Sequence, residues 1–169
     1  MEQNVSMKIN ELPSPTWNWL KVNETPIKWS NKIEPCEIAA EGDAVATETE
    51  QLSDIETGAG READAIFATE NTAKYQILAD NAGQDKTVRL HISGKKDAHT
   101  AGCVEIVAKE NSTLTVVMDS RVAPDATKEE ESTAEASLAV RVRMKVESGA
   151  SVRLIQVQMP QEHETLLSD

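Results

Sequence analysis

The run SLAVRVRMKVE, residues 137–147, sends Leu138, Val140, Val142, Met144 and Val146 to one side and Arg141, Arg143, Lys145 and Glu147 to the other. Period two over this length is a strand with one buried face. The same alternation recurs upstream. Val88, Leu90 and Ile92 alternate with Arg89, His91 and Ser93; Val104, Ile106 and Ala108 with Cys103, Glu105 and Lys109; Leu114, Val116 and Met118 with Thr113, Thr115 and Val117.

Two of these units superpose without a gap. Sliding VEIVAKENSTLTVV onto VRMKVESGASVRLI, an offset of 38, lays Val104 on Val142, Ile106 on Met144, Ala108 on Val146, Leu114 on Val152 and Val116 on Leu154, with Asn111 on Gly149 in the turn. A looser copy, YQILADNAGQDKTVRLHI, precedes them. Repeats of strand, polar turn and strand predict a mainly β fold: a right-handed parallel β-helix, or flattened solenoid, of about three rungs with a short N-terminal helical segment. Stacking in this register sets Glu105 beside Arg143 and Lys109 beside Glu147, opposite charges at exposed positions that fix register more than they stabilise. The rival arrangement is a sandwich of antiparallel hairpins. AKENSTL and VESGASV lack the Asn-Gly or Asp-Gly dipeptides of tight hairpins, which favours the solenoid. Val104 and Val142 on parallel neighbouring strands are the minimum that stacking requires.

Composition narrows the partners. Seventeen basic against twenty-nine acidic residues give a net charge of -12, which disfavours nucleic acid or an anionic membrane surface. Only five residues are aromatic, so a core must come from Val, Ile, Leu, Ala and Met rather than enclose a deep aromatic pocket. The opening MEQNVSMKINELPSP has no apolar signal region, and no window reaches the roughly 18 apolar residues of a membrane span, so a cytoplasmic protein is expected. Two cysteines in unlike contexts, Cys36 and Cys103, point to free thiols in a reducing compartment.

Four segments follow. Residues 1–33 form a Pro/Trp segment holding Trp17, Trp19 and Trp29, with room for a short helix from about Pro15 to Val22; the tryptophans plaster it onto the remainder or onto a partner. Residues 34–70 form an acidic linker: between Glu34 and Asp64 lie ten acids and few large apolar side chains, too little burial to offset ordering. Those acids lack the D-x-D-x-D-G spacing of a calcium loop. Residues 71–160 form the β-solenoid core and 161–169 a tail.

Motifs of catalysis are not found. The sequence contains no G-x-x-x-x-G-K-[ST], no C-x-x-C and no H-E-x-x-H. His91 on a polar strand face, His99 in a loop and His163 near the end read as surface or loop histidines, and GKKD from Gly94 as a solvated turn. Cys103 heads its unit opposite Val104 and Ile106, aligned with Arg141, and reads as a structural thiol. No residue is assigned a catalytic or metal-binding role, cofactor-binding residues are unknown, and the chain is not expected to be an enzyme.

LPSPTWNWLKVNETPIKW resembles the N-terminal opening of SufB/SufD family proteins, and SGKKDAHTAGCVEIVAKENSTLTVVMDS is similar to the start of their β-helix, closer to SufD-like members. The resemblance implies a scaffold component of the SUF iron–sulfur cluster assembly machinery, working with a SufC-type ATPase and a SufB-type paralogue. It also implies a transient iron–sulfur cluster on the full complex and none on this chain alone. Measured against that family the chain is expected to lack its C-terminal half, where the cluster residues and the ATPase dock lie. An open edge then leaves self-pairing into a homodimer available. The alternative is a carbohydrate-active or adhesive β-solenoid, whose hydrolytic form needs two acids about 5 to 9.5 Å apart; the shortage of aromatics and of a secretion signal counts against it.

Overall fold

Each alternating run becomes a strand in the computed structural model, which describes residues 4–9, 25–30, 32–53, 55, 61–80, 82–123, 136–161 and 164–169. Before the repeats come β1 (Asn4–Ile9), β2 (Thr25–Ser30), β3 (Ile33–Pro35), β4 (Glu37–Gly42), β5 (Val45–Glu48) and the helix α1 (Arg61–Phe67). The repeats supply β6 (Ala73–Ala79), β7 (Asp85–Ser93), β8 (His99–Ala108), β9 (Thr113–Arg121), β10 (Ala136–Val146) and β11 (Ser151–Gln158), and β12 (Glu164–Ser168) follows.

A larger sheet runs β12-β10-β8-β6-β5 with β3 also beside β8, and a smaller one runs β11-β9-β7-β4. Within the repeats the neighbours are parallel: β6 with β8, β8 with β10, β7 with β9 and β9 with β11. Val104 lies opposite Val142 and Leu114 opposite Val152, the register of the 38-residue offset. Lys109 Nζ reaches Glu147 Oε1 at 2.8 Å.

The expectation of a right-handed parallel β-helix solenoid is nevertheless corrected. The fold is mixed α/β, with two sheets that contain antiparallel pairs: β4 runs antiparallel to β7 and β5 antiparallel to β6, while β1 and β2 form a separate antiparallel pair. The physical reason is edge closure. The first parallel strand of each sheet would present a bare ladder of N–H and C=O groups, and an antiparallel strand covers each one. These strands come from the stretch expected to be an acidic linker, where Ile38 and Ala40 face the core between acids that face out. The 161–169 tail likewise carries β12, parallel to the first half of β10. The helix expected over 15–22, Trp17, Trp19 and His163 lie outside the described residues.

The core fills the space between the sheets. Ile77, Leu90, Ile92, Val104, Ile106, Leu114, Met118 and Leu138 are each at most 1% exposed. A second cluster covers the opposite face of the larger sheet: Trp29, Ile66 and Phe67 pack on Ala101, Cys103 and Ala139. Helix α1 is short, and its Ala63, Ile66 and Phe67 hold it against that face. The repeat turns stack as well. Gly83, Asn111 and Gly149 all have positive φ, at 77°, 58° and 69°. The Gly83 N–H donates to Asn111 O and the Asn111 N–H to Ser148 O, tying each turn to the next. Gly and Asn are the residues that take this conformation at least cost.

Candidate functional site

Parallel register converts spacing along one strand into ranks across three. On the outer face of the larger sheet, Lys74, Cys103 and Arg141 form one rank and Gln76, Glu105 and Arg143 the next. Residues 49–53 pass over these ranks as a strap. The Thr49 N–H donates to the Lys74 carbonyl at 3.0 Å, and Lys74 Nζ donates to the Glu50 carbonyl at 3.1 Å. The Ser53 N–H donates to Glu105 Oε1 at 2.8 Å, and Arg143 Nη1 donates to the Ser53 carbonyl at 2.9 Å. Strap, helix α1 and sheet border an open cavity of about 730 Å³. Its floor is Lys74, Cys103, Arg141 and Arg143; Glu50, Leu52, Ile55, Asp64 and Phe67 form the walls and rim.

Arg141 fastens three elements together. Only 3% exposed, it extends Nη2 to within 2.8 Å of Asp64 Oδ1 on α1 and donates from Nε to Asp169 Oδ2 just after β12. Its guanidinium carbon lies 4.3 Å from the centroid of the Phe67 ring, a cation–π contact. The Nη2 approach is an ion pair without hydrogen-bond geometry, and Nη2 has no hydrogen-bond acceptor among the described residues.

Glu105 differs from its expected role as an exposed register pair with Arg143. The two are opposite in the ladder, but Glu105 is fully buried and spends its oxygens on the Ser53 N–H and on Gln76 Nε2, the latter at 2.6 Å. Burial by itself pushes its carboxyl up; the Ser53 and Gln76 hydrogen bonds and the Arg143 charge outweigh that and hold it below its ordinary 4.5.

Both cysteines are buried and free. Burial pushes Cys36 up to about 12, with Cys103 adding to the shift. Burial also raises Cys103, while Arg141, Arg143 and Lys74 pull it the other way. Cys36 donates its N–H to Ala101 O, and its sulfur occupies the space that a side chain on Gly102 would fill. Cys103 is the next residue and faces the opposite side of the sheet, so joining the two sulfurs requires backbone movement. A second cavity of about 560 Å³, lined by Cys36, Glu37, Glu48 and Lys95, meets the first at Lys74 and Glu50.

The histidines are separated. His91 stands on the outer face of the smaller sheet, with Nε2 3.4 Å from Glu41 and Nδ1 3.8 Å from Asp119. His99 opens strand β8 rather than lying in a loop, and its ring is 5.4 Å from that of Trp29. Among the described residues no three His, Cys, Asp or Glu side chains are grouped to hold a metal ion. No described helix is long and apolar enough to cross a membrane.

The 38-residue alignment placed Cys103 on Arg141, so two of the three residues of the first rank were readable. Lys74, Asp64, Asp169 and the strap gave no signal, because their contacts cross between segments with no common period. Compared with protein-family models, curated proteins and solved structures, the chain matches none. The resemblance to the SufB/SufD family therefore rests on the quoted residues alone.

Proposed function

We propose that this chain is a non-enzymatic scaffold component of SUF-type iron–sulfur cluster assembly, SufD-like, acting in the cytoplasm through a complex with a SufB-type partner and a SufC-type ATPase. The cluster is cargo of the complex, and no residue of this chain is assigned to it. The identity of the partners comes from the resemblance of the N-terminal segment. The supporting observation in the fold is the set of exposed apolar side chains at the end of the repeat stack, Met144 and Val146 on the core-side face of β10 and Ile155 and Val157 on the outward face of β11. Met144, Val146, Ile155, Val157 and Met159 are between 37% and 53% exposed, and they are five of the six large apolar side chains exposed among the described residues.

Their exposure has a plain cause. β12 pairs with β10 only over Ala136–Val140, so Met144 and Val146 at the far end of β10 have no neighbour on that side among the described strands. Among the described strands β11 is the outermost of its sheet, paired with β9 alone. An uncovered strand edge beside apolar side chains suits a partner that adds a strand. We assign that place to the SufB-type partner.

Co-expression of the full chain with a SufB-type protein and a SufC-type ATPase tests the proposal. The expected result is one complex holding all three through affinity and size-exclusion chromatography. Elution of the chain by itself, with the other two still paired, sinks it.

A further inference from the structure

The cavity beneath the strap has a charge character opposite to that of the chain around it. In a chain of net charge -12, three cationic side chains line one open pocket. Arg141 is committed to Asp64, Asp169 and Phe67. Among the described residues neither of the other two has a carboxylate in ion-pair contact, although the Arg143 charge acts on Glu105. Lys74 Nζ donates to the Glu50 carbonyl and Arg143 Nη1 to the Ser53 carbonyl, both neutral acceptors. Arg143 Nε is buried with no hydrogen-bond partner among the described residues. The carboxylate in register with it, Glu105, points its oxygens at Ser53 and Gln76. Of the acids in the lining, Asp64 already faces Arg141, and Glu50 is an exposed rim residue.

Two cationic side chains that donate to neutral carbonyls at this cavity form a receptor for an oxyanion, since charge-assisted hydrogen bonds are the strong ones. Size and walls define the remainder of the ligand. About 730 Å³ lies within the range of small-molecule sites and is far larger than one phosphate. Leu52, Ile55 and Phe67 give one side of it an apolar wall.

We propose that this cavity binds a small organic oxyanion, a phosphate or carboxylate carried on an apolar body, with Lys74 and Arg143 taking the charged group and Leu52, Ile55 and Phe67 the body. Cys103 on the floor is the site's built-in reporter: a ligand seated there shields the thiol.

The test uses the full chain and three probes: inorganic phosphate, phenyl phosphate and benzoate. Calorimetry is expected to show saturable binding of phenyl phosphate or benzoate, tighter than that of inorganic phosphate, and the stronger of the two identifies the charged group. K74Q and R143Q are each expected to weaken it about tenfold. In a C36S chain, where Cys103 is the single thiol, the stronger probe is expected to slow alkylation, and K74Q to remove the protection. Binding by none of the three overturns the proposal, as does binding that K74Q and R143Q leave unchanged. Thermal melts accompany each variant; if R143Q fails to fold, K74Q decides alone.

Discussion

Glu105 is the residue whose role sequence and structure divide most sharply. Its register opposite Arg143 follows from the repeat, but its burial does not, because the strap that covers it arrives from residues 49–53 with no periodic relation to β8. Replacing Glu105 with Gln keeps the shape and removes the charge that Ser53, Gln76 and Arg143 favour. A loss of about 1.5 to 3 kcal/mol is expected at neutral pH, the range for hydrogen bonds to a charged group. The pH dependence has a definite sign. The folded carboxyl lies below its ordinary 4.5, so its contribution is complete above that value and is lost as pH falls through the lower folded value. Urea denaturation of both proteins across pH 3 to 7 should show the gap closing on the acid side. A constant gap would mean that the variant acts through packing alone.

At the scale of elements, the repeat strands were legible because one apolar face is buried along each of them, and burial on one face is what period two records. The antiparallel strands were not. β4 meets β7 across about fifty residues of chain, with Glu37 opposite Ser93 and Gly42 opposite Val88, so no turn dipeptide announces the pairing. Its inward positions are only Ile38 and Ala40, which leaves little apolar signal among the acids. The turns are a clearer case, since Asn111 aligned with Gly149 and both have the positive φ that the stacked turn requires. Gly149→Ala should cost about 1 to 2 kcal/mol, because a Cβ there is strained in that conformation and meets the Asn111 side chain. Asn111→Gly should change stability far less. Thermal melts of the two variants check this, and equal losses would show that the turn conformation is not what matters.

For the whole molecule, the fold joins a parallel repeat to antiparallel covers on one side and leaves apolar side chains exposed on the other. The covers β4 and β5 close the edges of β7 and β6, whereas β11 and the far half of β10 have no such neighbour among the described strands. The alternation of β10 and β11 was readable from sequence. That Met144 and Val146 continue the core face yet remain exposed was not, because exposure depends on how far β12 extends along β10. The scaffold reading depends on this surface more than on any pocket. Ile155 and Val157 point away from the core on β11, so charging both with Ile155→Lys and Val157→Lys should leave the fold intact. The most direct measurement is the affinity of the full chain for a SufB-type partner, by calorimetry, with and without these two substitutions. At least a tenfold loss at unchanged melting temperature is the expected result, and equal affinity for the two chains would contradict the account.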